Sequence, residues 1–155
     1  MSASLRISDE TVRERSKVSK ADIVVALDPH ALEDGRIVGA LRPGGVAVVN
    51  APPGTVEIAF DSGKIAWTDA SGIARSLNIL ASGQPVSSTA ILGGVCAATD
   101  IVPIEAVEEV LRSSFPGDGG RNAAAARKAL ETTVIFDVHP GDWIWKRMLY
   151  SPRLR

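Results

Sequence analysis

The sequence predicts an α/β domain built on a mostly parallel sheet, and two local patterns plus the scale of the chain carry that prediction. Residues 23–27 (Ile-Val-Val-Ala-Leu) and 46–50 (Val-Ala-Val-Val-Asn) are aliphatic and β-branched runs closing on a polar residue, Asp28 after the first and Asn50 within the second. Such runs read as strands buried on both faces. Between them Ala31, Leu32, Val38 and Leu41 lie near helical spacing, and Arg42-Pro43-Gly44-Gly45 stops the helix. Strand, helix, tight turn and strand in about 30 residues make a βαβ unit with a right-handed crossover. At 155 residues, 45% hydrophobic and 23% charged, the chain has the size and composition of one ordinary domain.

The remaining elements follow in order. Residues 56–60 and 64–68 flank Asp61-Ser62-Gly63 and read as two strands, joined as a hairpin or merely separated by the turn. Asp69-Ala70-Ser71 leads into a helix through Leu80, with Ile73, Leu77 and Leu80 on one face, and Gly83-Gln84-Pro85 breaks it. Ser88 or Thr89 is the expected cap of a small-residue helix over 90–98, whose Gly93, Gly94, Ala97 and Ala98 suit close approach of another backbone and so a subunit contact. Pro103 opens the next helix, with an apolar stripe of Ile104, Val107, Val110, Leu111 and Phe115 and a Glu108–Arg112 pair on the wet side. An alanine-rich helix spans 122–130. From Val134 onward Phe136, Trp143, Trp145 and Tyr150 mix with Lys146, Arg147, Arg153 and Arg155, so residues 1–133 read as the domain and 134–155 as an aromatic, basic extension.

Charge and cysteine count narrow the function. Seventeen basic against eighteen acidic residues give a net charge of −1, and no basic field recommends nucleic acid as a partner. No apolar run approaches the roughly 18 to 20 residues of a membrane span, and the N-terminus has no signal-peptide pattern. Cys96 alone cannot assemble a cluster, a zinc site or a disulfide, and a lone thiol fits a reducing cytoplasm. Residues 51–100 carry only Lys64, Arg75, Glu57, Asp61, Asp69 and Asp100, so that stretch is deep core or is covered by a partner.

Most chemical motifs fail on mechanics. Gly117-Asp118-Gly119 with Asn122 has the residues of a magnesium–pyrophosphate signature, but lies between two helices with too short a spacing and reads as a turn. Lys64 and Lys128 follow no phosphate loop, and the serines at 71, 87 and 88 sit in no nucleophile elbow. His30 and His139 read as ordinary surface or loop residues. Asp28 and Asn50 stand apart, because both close adjacent parallel strands at the end where open α/β sheets bind ligands. They read either as a helix cap and a turn residue or as a polar lip for a nucleotide-like ligand.

Six segments occur in one order: Arg-Ile-Ser-Asp-Glu-x-Val-Arg at 6–13, Ala-Asp-Ile-Val-Val-Ala-Leu-Asp-Pro at 21–29, Leu-Arg-Pro-Gly-Gly-Val-Ala-Val-Val-Asn at 41–50, Asp-Ala at 69–70, Gly-Gln-Pro-Val-Ser-Ser-Thr-Ala-Ile-Leu-Gly at 83–93, and the helix over 104–115. That ordered set resembles the gamma subunit, or gamma domain, of pyruvate and related 2-oxoacid:ferredoxin oxidoreductases, over residues 4–131. The resemblance implies a Rossmann-like three-layer domain, shortened at its N-terminus because the family's G-x-G-G-Q-G loop has no counterpart here. Ser88-Thr89 stands where relatives carry Asn-Thr.

The resemblance further implies a non-catalytic chain that binds no cofactor alone. Thiamine diphosphate, magnesium and iron–sulfur clusters would sit on partner subunits, ferredoxin would be reached indirectly, and coenzyme A would be shared through loops bearing Asp28, Asn50, Ser88 and Thr89. Two other readings compete. One is a fragment of an S-adenosylmethionine methyltransferase fold, suggested by the strand ending at Asp28 and the Pro-Gly-Gly turn. The other is a small interaction module working through Trp143, Trp145, Lys146, Arg147 and Tyr150.

Overall fold

The computed structural model describes residues 2–13, 16–32, 39–55 and 62–139. The sequence-predicted strand over 56–60, half of the helix over 30–41 (residues 33–38) and the tail beyond 139 lie outside the described residues. Four strands form one sheet in the order β1 (Ala21–Ala26), β2 (Leu41–Val49), β3 (Gly63–Trp67) and β6 (Val134–Val138). β1, β2 and β3 run parallel, and β6 returns antiparallel against β3. Helices α1 (Ala70–Ser76), α2 (Ala90–Ala98), α3 (Ile104–Ser114) and α4 (Gly119–Thr132) follow β3, and a small hairpin, β4 (Leu80–Ala81) with β5 (Gln84–Pro85), joins α1 to α2. The mostly parallel α/β architecture is as the sequence predicts.

The sheet's two faces hold different cores, as the alternation of side chains along a strand requires. Val48 and Ala66 face the helices and pack with Ala70, Ile73, Ala90, Ile91, Ala125 and Ala129. Val49, Ile65 and Trp67 face the opposite way and pack with Leu32, Leu41, Ala47 and Val138. β2 and β3 are therefore covered on both sides, and their unbroken apolar runs have the physical cause assumed for them.

β1 departs from that pattern. Among the described residues it pairs only with β2, which makes it an edge strand. Val24 and Ala26 join the core on Trp67's face, but Val25 and Leu27 are 42% and 49% exposed, so the expectation of burial on both faces is corrected. Among the described residues the helix layer packs chiefly over β2 and β3 rather than over β1.

Three further boundaries differ from the sequence reading. Arg42-Pro43-Gly44-Gly45 is not a turn ahead of the second strand but an irregular start of β2, where the β1–β2 register shifts between Ala21 and Ile23. α1 ends at Ser76 rather than Leu80, because Asn78 adopts a left-handed backbone (φ 54°) and frees residues 80–85 for the hairpin. That hairpin turns on Ser82 and Gly83, both at positive φ, the geometry that two-residue hairpin loops demand. Finally, residues 134–138, read with the extension, supply β6 and pair residue by residue with β3, so the sheet runs past the division at 133/134.

The alanine-rich helix is the hub of the helical layer. Ala123, Ala125, Ala126 and Ala129 of α4 are fully buried, and their small side chains let α2 and α3 pack directly against its backbone. Gly93 and Gly94 therefore meet neighbours of their own chain, α4 and Thr68, rather than standing ready for a partner subunit. The charge-poor middle is divided: among the described residues, 65–68, Ala70, Ile73, Ala74, Thr89, Ala90 and Ile91 are core, whereas 52–55 and 80–84 are exposed.

α3 packs on α4 through Ile104 and Leu111, and a charged cluster seals the join. Arg127 Nε donates to Glu108 Oε1 (2.6 Å), its NH2 reaches Glu105 (3.2 Å), and Arg112 donates to Glu108 Oε2 (3.2 Å). The Glu108–Arg112 pair forms as its spacing predicts, but Glu108 is buried rather than on the wet side, while Val110 of the expected apolar stripe is 59% exposed. The Arg127 hydrogen bond holds the Glu108 carboxyl below its ordinary value of 4.5 against the opposing effect of burial, and Arg112 adds to the lowering. A carboxylate with a depressed native pKa stabilises the fold above its unfolded pKa, and that contribution disappears as pH falls through the native value. Urea midpoints measured from roughly pH 6 down to roughly pH 3 are expected to fall less steeply in Glu108→Gln than in the unaltered chain. Equal slopes would show that the cluster does not carry the acid sensitivity.

Candidate functional site

The carboxyl ends of β1 and β2 meet around Asn50. Its backbone N–H donates to Ala26 C=O (2.9 Å), tying the two strand ends together. Its side-chain amide donates to Leu27 C=O (2.8 Å) and to Ser71 Oγ (2.9 Å), and its Oδ1 accepts the Ser71 backbone N–H (3.0 Å). Both amide protons are thus used, and Asn50 is only 7% exposed. One side chain binds the exit of β1 and the first turn of α1 to the end of β2.

α1 is held to the same region by its own cap. Asp69 Oδ1 accepts the Gly72 N–H (2.8 Å), satisfying one of the first-turn donors that a helix leaves open. Asp28 makes a similar local turn on the other side: its Oδ1 accepts the His30 N–H (3.0 Å) as a 3-10 turn (Pro29–Leu32) begins. Unlike Asn50, Asp28 is exposed. The capping reading of Asp28 and the turn-satisfying reading of Asn50 both describe real bonds in the fold.

Ser88 and Thr89 are placed separately, at the start of α2. Thr89 is buried and donates to Asn122 Oδ1 (2.8 Å), and Asn122 in turn donates to Asp118 C=O (3.1 Å). Thr89 occupies the cap position of α2 yet makes no side-chain cap bond, because its hydroxyl is spent on α4. Ser88, one residue earlier, is exposed. Among the described residues no hydrogen bond joins Ser88 or Thr89 to Asp28 or Asn50. The four predicted residues therefore divide into two exposed groups, Asp28 and Ser88, and two buried braces. Asn50 holds the carbonyl of the residue before Asp28, and Thr89 is next in the chain to Ser88.

Three contributors escape the sequence reading. Ser71 answers Asn50 from 21 residues away, and no local pattern marks it. Thr133 donates to Ala129 C=O (2.6 Å) and accepts from Thr68 (2.8 Å), linking β3 to the end of α4. Trp67 has its indole N–H buried with no hydrogen-bond partner, directly before Thr68 at the end of β3. Among the described residues no cluster of three or more His, Cys, Asp and Glu could hold a metal ion, and no helix is long and apolar enough to cross a membrane.

Parallel strands whose ends are braced by an asparagine, with a helical layer gathered on an alanine-rich helix, define an α/β domain with a mostly parallel sheet. Comparison with known proteins makes the assignment specific. Residues 1–132 match the family described as pyruvate ferredoxin/flavodoxin oxidoreductase, and the chain belongs to it. It is 38% identical over 143 residues to the pyruvate/ketoisovalerate oxidoreductases common subunit gamma of Thermococcus litoralis, covering 89% of this chain and 75% of that one. It is 35% identical over 127 residues to the pyruvate synthase subunit PorC of Methanothermobacter marburgensis, covering 81% of this chain and 68% of the relative. The solved pyruvate oxidoreductase subunit PORC of Thermotoga maritima superposes with a TM-score of 0.66 at 27% identity, over 77% of this chain and 67% of that chain. The methyltransferase reading has no support beside these matches.

Proposed function

We propose that the chain is the gamma-type, non-catalytic component of a cytoplasmic complex that oxidatively decarboxylates a 2-oxoacid to an acyl-coenzyme A. The observation that carries this reading is the family match through residue 132, with gamma and PorC subunits among the relatives. Thiamine diphosphate, magnesium and iron–sulfur clusters belong to partner subunits, where the thiamine cofactor supplies the decarboxylating chemistry and the clusters take electrons toward ferredoxin. Cys96 is half-buried and burial pushes its thiol pKa up, so it is a poor nucleophile and fits a reducing compartment.

Coenzyme A is the ligand this chain would help present. Asp28 and Ser88 are the exposed members of the proposed set, and their chemistry limits what they touch. A carboxylate repels phosphate, so Asp28 suits a ribose hydroxyl or the adenine amino group, while Ser88 can donate to a phosphate or carbonyl oxygen. Asn50 and Thr89 act through them as positioning residues. In the reconstituted complex, Asp28→Ala and Ser88→Ala should each raise the KM for coenzyme A several-fold with kcat unchanged, as expected when binding shared by ground and transition states is lost. Unchanged KM in both would remove coenzyme A from this face. If the native chain purifies without a thiamine- or cluster-bearing partner, the subunit role itself fails.

A further inference from the structure

We propose that Arg121, with Lys128 further along the same helix, is the phosphate anchor of the ligand face to which Ser88 belongs, so that a phosphate group of coenzyme A lies between the start of α2 and the first turn of α4. This anchor presupposes the coenzyme A reading above. Asp28, Asn50, Ser88 and Thr89 include no cation, whereas coenzyme A carries its charge on a diphosphate and a ribose phosphate. Phosphate oxygens are held most firmly by guanidinium and ammonium donors.

Two short paths of bonds bring Arg121 to Ser88. Thr89, which follows Ser88, donates to Asn122 Oδ1 (2.8 Å), and Asn122 follows Arg121. On the other side Arg121 Nη1 donates to Asn78 C=O (3.4 Å). Asn78 precedes Ile79, whose own C=O accepts the Val86 N–H (2.9 Å) at the base of the hairpin, two residues ahead of Ser88. The guanidinium therefore rests on one strand of the hairpin base while Ser88 leaves from the other. Both Arg121 and Ser88 are exposed.

Arg121 has donors to spare. Of the five N–H groups of a guanidinium, one goes to Asn78 C=O and one to Asp118 Oδ1, and the rest are open to a ligand. Seven residues on, about 10 Å along the same face of α4, Lys128 Nζ donates to Ser76 Oγ (3.2 Å) and forms no ion pair among the described residues. Asp118 works against the anchor. Its carboxylate makes no side-chain cap bond to α4, and its bond to Arg121 partly neutralises the charge that a phosphate would meet. The pair thus holds the guanidinium in place while weakening its attraction for an anion, which gives the two partners opposite effects on binding.

Steady-state kinetics of the reconstituted complex, with coenzyme A as the varied substrate, test the anchor. Arg121→Ala should raise the KM for coenzyme A about tenfold with kcat held, the effect of losing a charge-assisted contact. Arg121→Lys should recover part of that loss, and Lys128→Ala should raise KM by less. Asp118→Asn keeps the shape but removes the competing charge, so it should lower KM about twofold. An exposed ion pair adds little to stability, so all four variants fold. An unchanged KM in Arg121→Ala, or a KM raised by Asp118→Asn as by Arg121→Ala, would overturn the anchor, the second result marking the pair as a brace only. Ser88→Ala in the same assay separates the two failures. A KM raised by Ser88→Ala but not by Arg121→Ala leaves the coenzyme A face standing without this anchor, whereas an unchanged KM in Asp28→Ala, Ser88→Ala and Arg121→Ala removes both.

Discussion

Gly93→Ala is expected to destabilise the domain by at least about 3 kcal/mol, lowering the melting temperature by roughly 6–12 °C. The added Cβ would stand 1.8 Å from Ala126 C=O oxygen and 2.8 Å from both its carbonyl carbon and the Leu130 nitrogen. All three are backbone atoms of α4, so no side-chain rotation relieves the clash. Nor can α2 simply slide away, because Gly94 beside it is pressed on Thr68, where a Cβ would come within 2.2 Å of the hydroxyl. α2 is held between α4 and the end of β3, and both neighbours demand a missing side chain. Gly120→Ala is the control. It lies exposed in the first turn of α4 with nothing within 4 Å of where a Cβ would stand, and alanine's better helix propensity should leave it neutral or stabilised by about 1 kcal/mol. Thermal melts of the two variants side by side decide the matter. If Gly93→Ala melts with the unaltered chain, the close packing of α2 on α4 is not what fixes the helical layer.

The same glycines show what sequence reveals and what it hides. Gly93, Gly94, Ala97 and Ala98 announce close approach, but spacing alone does not say whether the approaching backbone belongs to the same chain. The answer lies in a second small-residue helix some 30 residues later, where Ala123, Ala126 and Ala129 are fully buried. β1 illustrates the complementary error. Residues 23–27 and 46–50 are alike in composition, and an apolar run reports what a strand is made of, not what covers it. Val48 and Val49 are fully buried while Val25 lies at an open edge. Periodicity carries α1 four residues too far because Ile73, Leu77 and Leu80 keep helical spacing, whereas the left-handed Asn78 that ends the helix gives no periodic signal. Glu108 falls on the wrong side for a similar reason. Arg112 is visible at i,i+4, but Arg127, whose shorter bond draws the carboxylate inward, comes from another helix.

The position of the candidate site is more legible than its wiring. Strand ends can be read from where an aliphatic run meets a polar residue, and that rule locates Asp28 and Asn50 together. It cannot distinguish a residue that faces a ligand from one that holds the loop facing it, because the distinction rests on Ser71 and on the Leu27 carbonyl. Burial makes the division: Asp28 stands in solvent, while Asn50 has spent its donors on the fold.

That wiring makes Asn50 the second most sensitive position. Asn50→Ala should cost about 2 kcal/mol, because it leaves Leu27 C=O and the Ser71 N–H without their partner in a half-buried region, and a buried orphan costs about 1–3 kcal/mol. Asn50→Asp separates shape from hydrogen bonding. It keeps the volume and the acceptor for the Ser71 N–H, but replaces the donor to Leu27 C=O with an oxygen. When protonated it can restore one donated bond; when ionised it sets a charge against a carbonyl. The native pKa of this carboxyl should therefore lie above its unfolded value, so the variant is at its most stable below the unfolded pKa and loses stability as pH rises through the interval between them. That is the opposite trend to the Glu108 contribution, so urea midpoints across the acid range distinguish the two substitutions within one experiment. Ser71→Ala should cost less than Asn50→Ala, since its backbone N–H keeps its acceptor and only the hydroxyl contact is lost. If Ser71→Ala proves as destabilising as Asn50→Ala, or more so, Asn50 braces β1 and α1 less than its three bonds imply. In the reconstituted complex the same brace predicts a functional asymmetry. Loosening Asn50 should displace the turn that carries Asp28 and raise the KM for coenzyme A together with a fall in melting temperature, whereas Asp28→Ala should raise KM with the melting temperature nearly unchanged.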